Sequence, residues 1–317
     1  MRLSALADYS AETLFALRRR VPPYCWQVPF SLWLQKGLLS AQFAPSWSFA
    51  IEDRGGGLKG YLVAKRASEY APTWRAHIWD LVCADVTSGE QLLQAMLTAA
   101  QPEGIQEVRF GEDGEHLFCG LPVEFGVQRE ALLAKGFSVE SAAERVDLLA
   151  RLTAQVEDPR VETRWITPPY RTQLEAFVAK EFPGRWASDV RWMNSQAGEL
   201  PCAVGLYENG ELIGFAITQR EGLPFRCGGA NWAQALGKGW SALGPLGVAE
   251  SHRKGGYGRA LMVGAMQRLL EEESDRCIVD WTSLTQFYER FGFRIWKRYS
   301  PCAIDVSHWS DRVLSAC

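Results

Sequence analysis

Leu243-Gly244-Pro245-Leu246-Gly247-Val248-Ala249-Glu250-Ser251-His252-Arg253-Lys254-Gly255-Gly256-Tyr257-Gly258-Arg259-Ala260-Leu261 joins an apolar strand-like run to an amphipathic helix-like one. The strand reads from Trp240 to Val248. The helix reads from Tyr257 to Glu273, with Leu261, Met262, Ala265, Met266, Leu269 and Leu270 on one face. Between them lies Arg-x-x-Gly-x-Gly at positions 253–258. Glycines let the backbone approach a ligand closely, and the free N–H groups and positive dipole end of a helix N-terminus bind phosphate oxygens. Arg253, Lys254 and Arg259 add charge-assisted hydrogen bonds for an anion, so the loop suits a pyrophosphate. It is neither a Gly-x-x-x-x-Gly-Lys-Ser/Thr loop nor a dinucleotide fingerprint, which needs a third glycine early in a βαβ unit.

Outward from this loop, the order is α/β. Downstream lie a strand (Arg276–Trp281), a helix (Ser283–Arg290), a helix stop at Gly292 and a last strand (Phe293–Tyr299). Upstream lie a strand (Val161–Ile166), helices within Pro169–Phe182 and Trp186–Gln196, and a hairpin with strand-like runs at Cys202–Tyr207 and Leu212–Arg220. The second hairpin run repeats an earlier one. Leu58-Lys59-Gly60-Tyr61-Leu62-Val63-Ala64-Lys65-Arg66 lies over Leu212-Ile213-Gly214-Phe215-Ala216-Ile217-Thr218-Gln219-Arg220, and Lys135-Gly136-Phe137 echoes Phe291-Gly292-Phe293. The first half follows the same plan, with helices at Ala11–Arg19, Gly89–Ala100 and Gln128–Lys135 and strands at Ala76–Cys83, Glu107–Phe110 and Phe137–Val146. The run of Asp158, Pro159, Pro168 and Pro169 marks a boundary near residue 158, giving domains 1–157 and 158–317.

The chain's 317 residues suit two domains of ordinary size, and 47% apolar with 22% charged residues describes globular, ordered units. Thirty-four Lys and Arg against 37 Asp and Glu leave a net charge of −3, which gives no reason to expect nucleic acid. The eight cysteines form no Cys-x-x-Cys pair and read as reduced core residues, Cys227 and Cys277 among them. No two of the four histidines stand at metal-ligand spacing, so no metal site is expected. With no leader-like start at Met1–Ser10 and no membrane-spanning run, a cytoplasmic protein without a membrane partner is the expectation.

The loop and its flanks resemble the GNAT acetyltransferase superfamily, whose acetyl-CoA loop follows an apolar strand ending in Val and reads Arg/Gln-x-x-Gly-x-Gly/Ala into a helix. Phe287-Tyr288-Glu289-Arg290-Phe291-Gly292-Phe293 is similar to that family's Tyr-bearing helix and following Gly-Phe. The resemblance covers residues 160–300 and reaches the first half through shared architecture alone. It implies an α/β fold, an α+β mixed sheet repeated in two tandem GNAT-like domains, each a mostly antiparallel central sheet flanked by helices. The first domain departs from the pattern. Ala84-Asp85-Val86-Thr87-Ser88-Gly89-Glu90 replaces the glycine loop and Leu132 stands where Tyr288 does, so that domain is read as degenerate, without a cofactor loop. The family's frequent Asn at the exit of the penultimate strand is replaced within Asp280-Trp281-Thr282-Ser283.

As the resemblance implies, the backbone of Leu246, Gly247 and Val248 pairs with the pantetheine amides of acetyl-CoA, while Arg253, Lys254, Gly255, Gly256, Tyr257, Gly258 and Arg259 hold the pyrophosphate. Tyr288 is the candidate general acid for the leaving thiolate, its alternative being a partly buried aromatic between Phe287 and Phe291. Asp280, at the end of the strand beside Tyr288, is a candidate base or else an exposed or capping carboxylate. Arg185, Trp186 and Trp232 are acceptor-pocket candidates, because rings stack on apolar faces while polar neighbours orient; core packing is the alternative for each Trp. The implied activity is acetyl-CoA-dependent N-acetylation of a small-molecule primary amine by direct attack, with an amino sugar or amino-acid-like acceptor. The alternatives are a protein amine as acceptor, or a non-catalytic module that binds or senses acetyl-CoA. Monomer and homodimer are both open.

Overall fold

In a computed structural model of the chain, residues 1–21, 28–223 and 231–307 are described. Two compact units divide it, one of residues 1–145 with 297–317 and the other of residues 146–296.

The first unit contains β1 (Arg2–Ala5), α1 (Ala11–Arg20), α2 (Phe30–Lys36), β2 (Phe49–Glu52), β3 (Leu58–Arg66), β4 (Arg75–Cys83) and α3 (Val86–Ala100). It continues with β5 (Glu107–Phe110), β6 (Leu121–Pro122), α4 (Gly126–Ala134) and β7 (Ser138–Val139). The second unit takes up the chain within β8 (Arg145–Arg151), followed by β9 (Glu162–Trp165), α5 (Arg171–Glu181), α6 (Arg185–Gln196), β10 (Ala203–Glu208) and β11 (Glu211–Arg220). It ends with α7 (Ala233–Leu236), β12 (Trp240–Val248), α8 (Tyr257–Glu271), β13 (Arg276–Thr282) and α9 (Thr285–Glu289). β14 (Arg294–Ser300) leads the chain back into the first unit, and β15 (Cys302–Asp305) lies there between β5 and β7.

The first unit's sheet runs β1-β2-β3-β4-β5-β15-β7, and the second's runs β8-β13-β12-β11-β10-β9. In each, one parallel pair interrupts an otherwise antiparallel sheet, β4 with β5 and β12 with β13. The repeat seen in the sequence is a repeat of backbone. Gly60 pairs with Cys83, the last residue of β4, as Gly214 pairs with Val248, the last residue of β12. A register shift follows at the matching place, between Val63 and Ala64 in one copy and between Ala216 and Thr218 in the other. α4 and α9 stop in the same way too: Phe137 N–H donates to Leu132 O and Phe293 N–H to Tyr288 O, around Gly136 and Gly292, both at φ +86°. A left-handed residue there closes the helix, and glycine adopts it without strain.

Two elements depart from the sequence reading. Phe137–Val146 is not one strand but the short β7, a turn at Ser141–Ala143 and the start of β8. β8 pairs with β13, Ile278 against Leu149 and Val279 against Leu148, so the sequence-based boundary near 158 falls inside the second unit, after its first strand. Pairing partners are chosen by tertiary context, which local periodicity does not carry. Apolar packing holds the second unit together. Leu261, Met262, Ala265, Met266 and Leu269 of α8 are buried, as their spacing predicts, against Leu148, Leu206, Ala216 and Phe293 of the same core.

α3 opens on a capping box: the Asp85 carboxylate accepts from Ser88 N–H at 2.7 Å and the Ser88 hydroxyl lies against Asp85 N–H. Asp85→Ala should cost about 1 kcal/mol of stability, read as a lower denaturation midpoint.

Candidate active site

The parallel ladder between β12 and β13 runs from Trp240–Arg276 to Ala242–Ile278 and stops. On its other side β12 stays paired with β11 through Val248. Beyond Ala242, therefore, the two parallel strands diverge, and the β12 edge from Leu243 to Val248 faces the gap. A strand edge of this kind offers N–H and C=O groups to an extended ligand. Leu246, Gly247 and Val248 lie on that stretch. Behind it, Phe182 packs on Gly247, where an added Cβ would come within 2.5 Å of the ring. Trp186 lies tilted against Phe182 at 5.1 Å and edge-on to Phe215 at 6.2 Å, packed on the unit's second apolar cluster.

The chain leaves β12 through a turn at Glu250–His252, and the loop then rises into α8. Gly256 is the N-cap, left-handed at φ +86°, and no described side chain caps the helix. The first N–H groups of α8 thus meet the loop surface, where Arg253, Lys254 and Arg259 are exposed. Arg253 also clasps the loop to the strand end, its Nε donating to Val248 O at 3.2 Å. Tyr257 donates its hydroxyl to Glu208, which pushes the phenol above its ordinary range, and His252 Nε2 lies 3.5 Å from the same carboxylate. Glu208 therefore fixes the loop. Arg160, upstream of the motif, reaches over it, with Nη2 3.5 Å from Gly255 O and its guanidinium on Asp158.

The first unit has the opposite chemistry at the equivalent helix start. The Asp85 carboxylate occupies the N-terminus of α3. Past the β4–β5 ladder, Gly111 N–H donates to Ile78 O and Trp79 Nε1 to Glu115 O, so that residues 111–115 lie against the end of β4. The site elements of the second unit fit a phosphate-bearing, extended cofactor, whereas the first unit already places its own carboxylate at that helix.

Asp280 stands by the gap, and its charge reaches Tyr288. Asp280 Oδ1 is the nearest atom, at 4.0 Å, to where a Cβ on Gly244 would stand, and its charge raises the Tyr288 phenol. Tyr288 is 8% exposed; burial first, then Asp280 and Cys277, pushes its pKa up to about 12. At neutral pH that phenol is a proton donor. Its ring packs edge-on against Phe287 at 4.9 Å and Phe293 at 5.9 Å. Cys277, fully buried and pushed up to about 12 by burial, is inert, while Cys227 lies outside the described residues.

The acceptor candidates separate. Arg185 stacks its guanidinium 4.4 Å from the Trp281 ring, next to Asp280. Trp232 is 1% exposed, donates its Nε1 to Asp147 Oδ2 at 2.9 Å and packs edge-on against Trp296 at 6.0 Å. That indole is a packing residue with no face open to an acceptor, a correction to its reading as a pocket wall. Asp147 had no sequence signal, being a lone acid in an apolar strand. Among the described residues no group of His, Cys, Asp or Glu is placed to hold a metal ion, and no helix is long and apolar enough to cross a membrane.

Residues 164–293 match the family model of the acetyltransferase (GNAT) family. No curated protein matches the chain. Among solved structures, the chain is similar to the GCN5-related glucosamine N-acetyltransferase region of a fungal multi-domain GH3 β-N-acetylglucosaminidase, at 18% identity and a TM-score of 0.82 over 96% of this chain. It spans 38% of the length of that protein. It is similar to a GCN5-related N-acetyltransferase from Sphaerobacter thermophilus (14% identity, TM-score 0.68, 96% of this chain and 95% of that one). It is similar also to a tandem GNAT protein from the clavulanic acid biosynthesis pathway (14%, 0.64, 96% and 99%). At these identities the likeness is one of fold. Together with the family match, it gives the chain the fold of the tandem GNAT proteins, with the acetyltransferase (GNAT) family match confined to residues 164–293.

Proposed function

We propose that the second unit moves an acetyl group from acetyl-CoA directly onto the primary amine of a small molecule, with an amino sugar as the favoured acceptor class. The observation that carries this reading is the glycine-loop helix, uncapped among the described residues, at the end of a β12 edge that has parted from β13, with the Asp280 carboxylate beside that edge and its charge acting on the protonated Tyr288 phenol. The fold likeness to a glucosamine N-acetyltransferase region supports the amino sugar.

In this reading Leu246–Val248 bind the pantetheine amides, and the N–H groups of residues 255–259 with Lys254 and Arg259 bind the pyrophosphate. Acetyl-CoA, when bound, supplies the activated acyl group. Asp280 accepts a proton from the incoming ammonium, freeing the lone pair that forms the C–N bond. As the C–S bond breaks, its electron pair stays on sulfur, Tyr288 would give its hydroxyl proton to that thiolate, and the second proton that the nitrogen loses on becoming an amide would pass to solvent, from which the phenolate is reprotonated. Arg185 and Trp281 line the acceptor side. The first unit, with Asp85 at its helix start, binds no cofactor. Five described cysteines are buried and unbonded, which favours a reducing, cytoplasmic setting.

Calorimetry with acetyl-CoA should show one site per chain, and thiol release should then appear when glucosamine is added. No binding removes the reading; two sites per chain remove the assignment of the first unit; binding without thiol release removes the amino sugar.

A further inference from the structure

β13 is not regular where it reaches the site. Its pairing with β8 slips between Val279 and Thr282, leaving Asp280 and Trp281 in a bulge. Trp281 sits at φ +47°, a left-handed conformation that a bulky side chain adopts only when its surroundings enforce it. The enforcing contact is visible. Asp147, 2% exposed, lies across on β8 and accepts the Trp281 backbone N–H through Oδ1 at 3.2 Å, while its Oδ2 accepts the Trp232 indole at 2.9 Å. A buried carboxylate held by two N–H donors is a rigid anchor, and the Trp232 bond fixes the rotamer that reaches the bulge. Arg185 stacked on the Trp281 ring presses the same turn from its other end.

A bulge re-aims the side chains at and beside it. Here it carries Asp280 toward Gly244 and the diverging edge of β12. We propose that Asp147 is the positioning residue of the transfer site, holding the Asp280–Trp281 bulge so that Asp280 faces the gap and Trp281 forms the acceptor wall. This rests on the reading of Asp280 given above. Asp147 precedes the family match at 164–293 and, by the sequence repeat, belongs to the first copy. The first half thus supplies a strand, and a working side chain on it, to the second unit's site.

Asp147→Asn is the test, since an amide keeps the size but presents one acceptor oxygen to two N–H donors. With acetyl-CoA affinity within about twofold of the unaltered protein, kcat/KM for glucosamine should fall about 30- to 100-fold, mainly in kcat, as expected when a reacting group is displaced by about 1 Å. The acid limb of the pH profile should move with it. Unchanged turnover overturns the proposal, and so does a loss matched by an equal loss of acetyl-CoA affinity, the mark of a merely structural residue. If the unaltered protein binds acetyl-CoA but leaves glucosamine untouched, the amino-sugar reading fails and the crystal structure of Asp147→Asn decides: Trp281 relaxed to negative φ supports the proposal, and an unchanged bulge overturns it. If Asp147→Asn does not fold, adding Trp281→Gly, which takes a left-handed turn without strain, should restore acetyl-CoA binding; failure to do so overturns it.

Discussion

Replacing Tyr288 by Phe should lower kcat for acetyl transfer by about 100- to 1,000-fold and leave acetyl-CoA affinity unchanged if the phenol acts as the proposed general acid, because a positioned general acid contributes on that scale. The substitution removes one oxygen from a ring that keeps its packing on Phe287 and Phe293, so the fold is preserved. The pH dependence follows from the direction of the shift. With the phenol pushed up to about 12 by burial and the Asp280 charge, the acid form persists well above pH 10, and the rate should not fall on the alkaline side within the ordinary range. Stability behaves in the corresponding way. A phenol that is harder to ionise in the folded than in the unfolded chain contributes nothing below pH 10 and destabilises the fold as pH climbs toward 12. Steady-state kinetics over pH 6 to about 10.5 checks both parts; a Phe variant with full turnover removes Tyr288 from the mechanism.

Gly256→Glu should abolish acetyl-CoA binding at any accessible concentration. Three costs add at one position. Gly256 sits at φ +86°, where an L-residue is strained by about 1–2 kcal/mol. A side chain there would point at Arg160, whose Nη2 lies 3.5 Å from the Cβ position, and the added carboxylate would pair with that guanidinium. Its charge would then stand at the helix N-terminus proposed for the pyrophosphate, much as Asp85 does in the first unit. Gly256→Asn separates strain from charge, since Asn tolerates the left-handed conformation. Calorimetry should find weakened binding for Asn and none for Glu; equal binding by both would mean that no anion sits there.

The glycine loop, the two flanking elements and the Tyr-bearing helix were readable because each is written in consecutive residues whose periodicity and turn chemistry are local. The repeat was readable for the same reason, down to the left-handed glycines at 136 and 292. What was not readable depends on partners far away in the chain. Trp232 has the same sequence neighbourhood whether it lines a pocket or, as here, gives its indole N–H to Asp147. Glu208 sits in a hairpin turn of the kind that is usually solvated, and only the return of the chain at Tyr257 gives it work. β8 was split from its true sheet because Val146-Asp147-Leu148-Leu149-Ala150 fits any buried strand slot equally well.

β15 gives synthesis a fixed order. It is the strand that separates β5 from β7, pairing Ala303 with Arg109 on one side and with Ser138 on the other. On a ribosome the first 145 residues emerge early, yet their sheet has bare edges at β5 and β7 until residues 302–305 follow. The second unit, by contrast, has all of its chain by residue 296. The half of the protein that is translated first is therefore the half whose sheet is completed last, and a chain halted after Trp296 leaves β5 and β7 with open edges that invite pairing with another molecule.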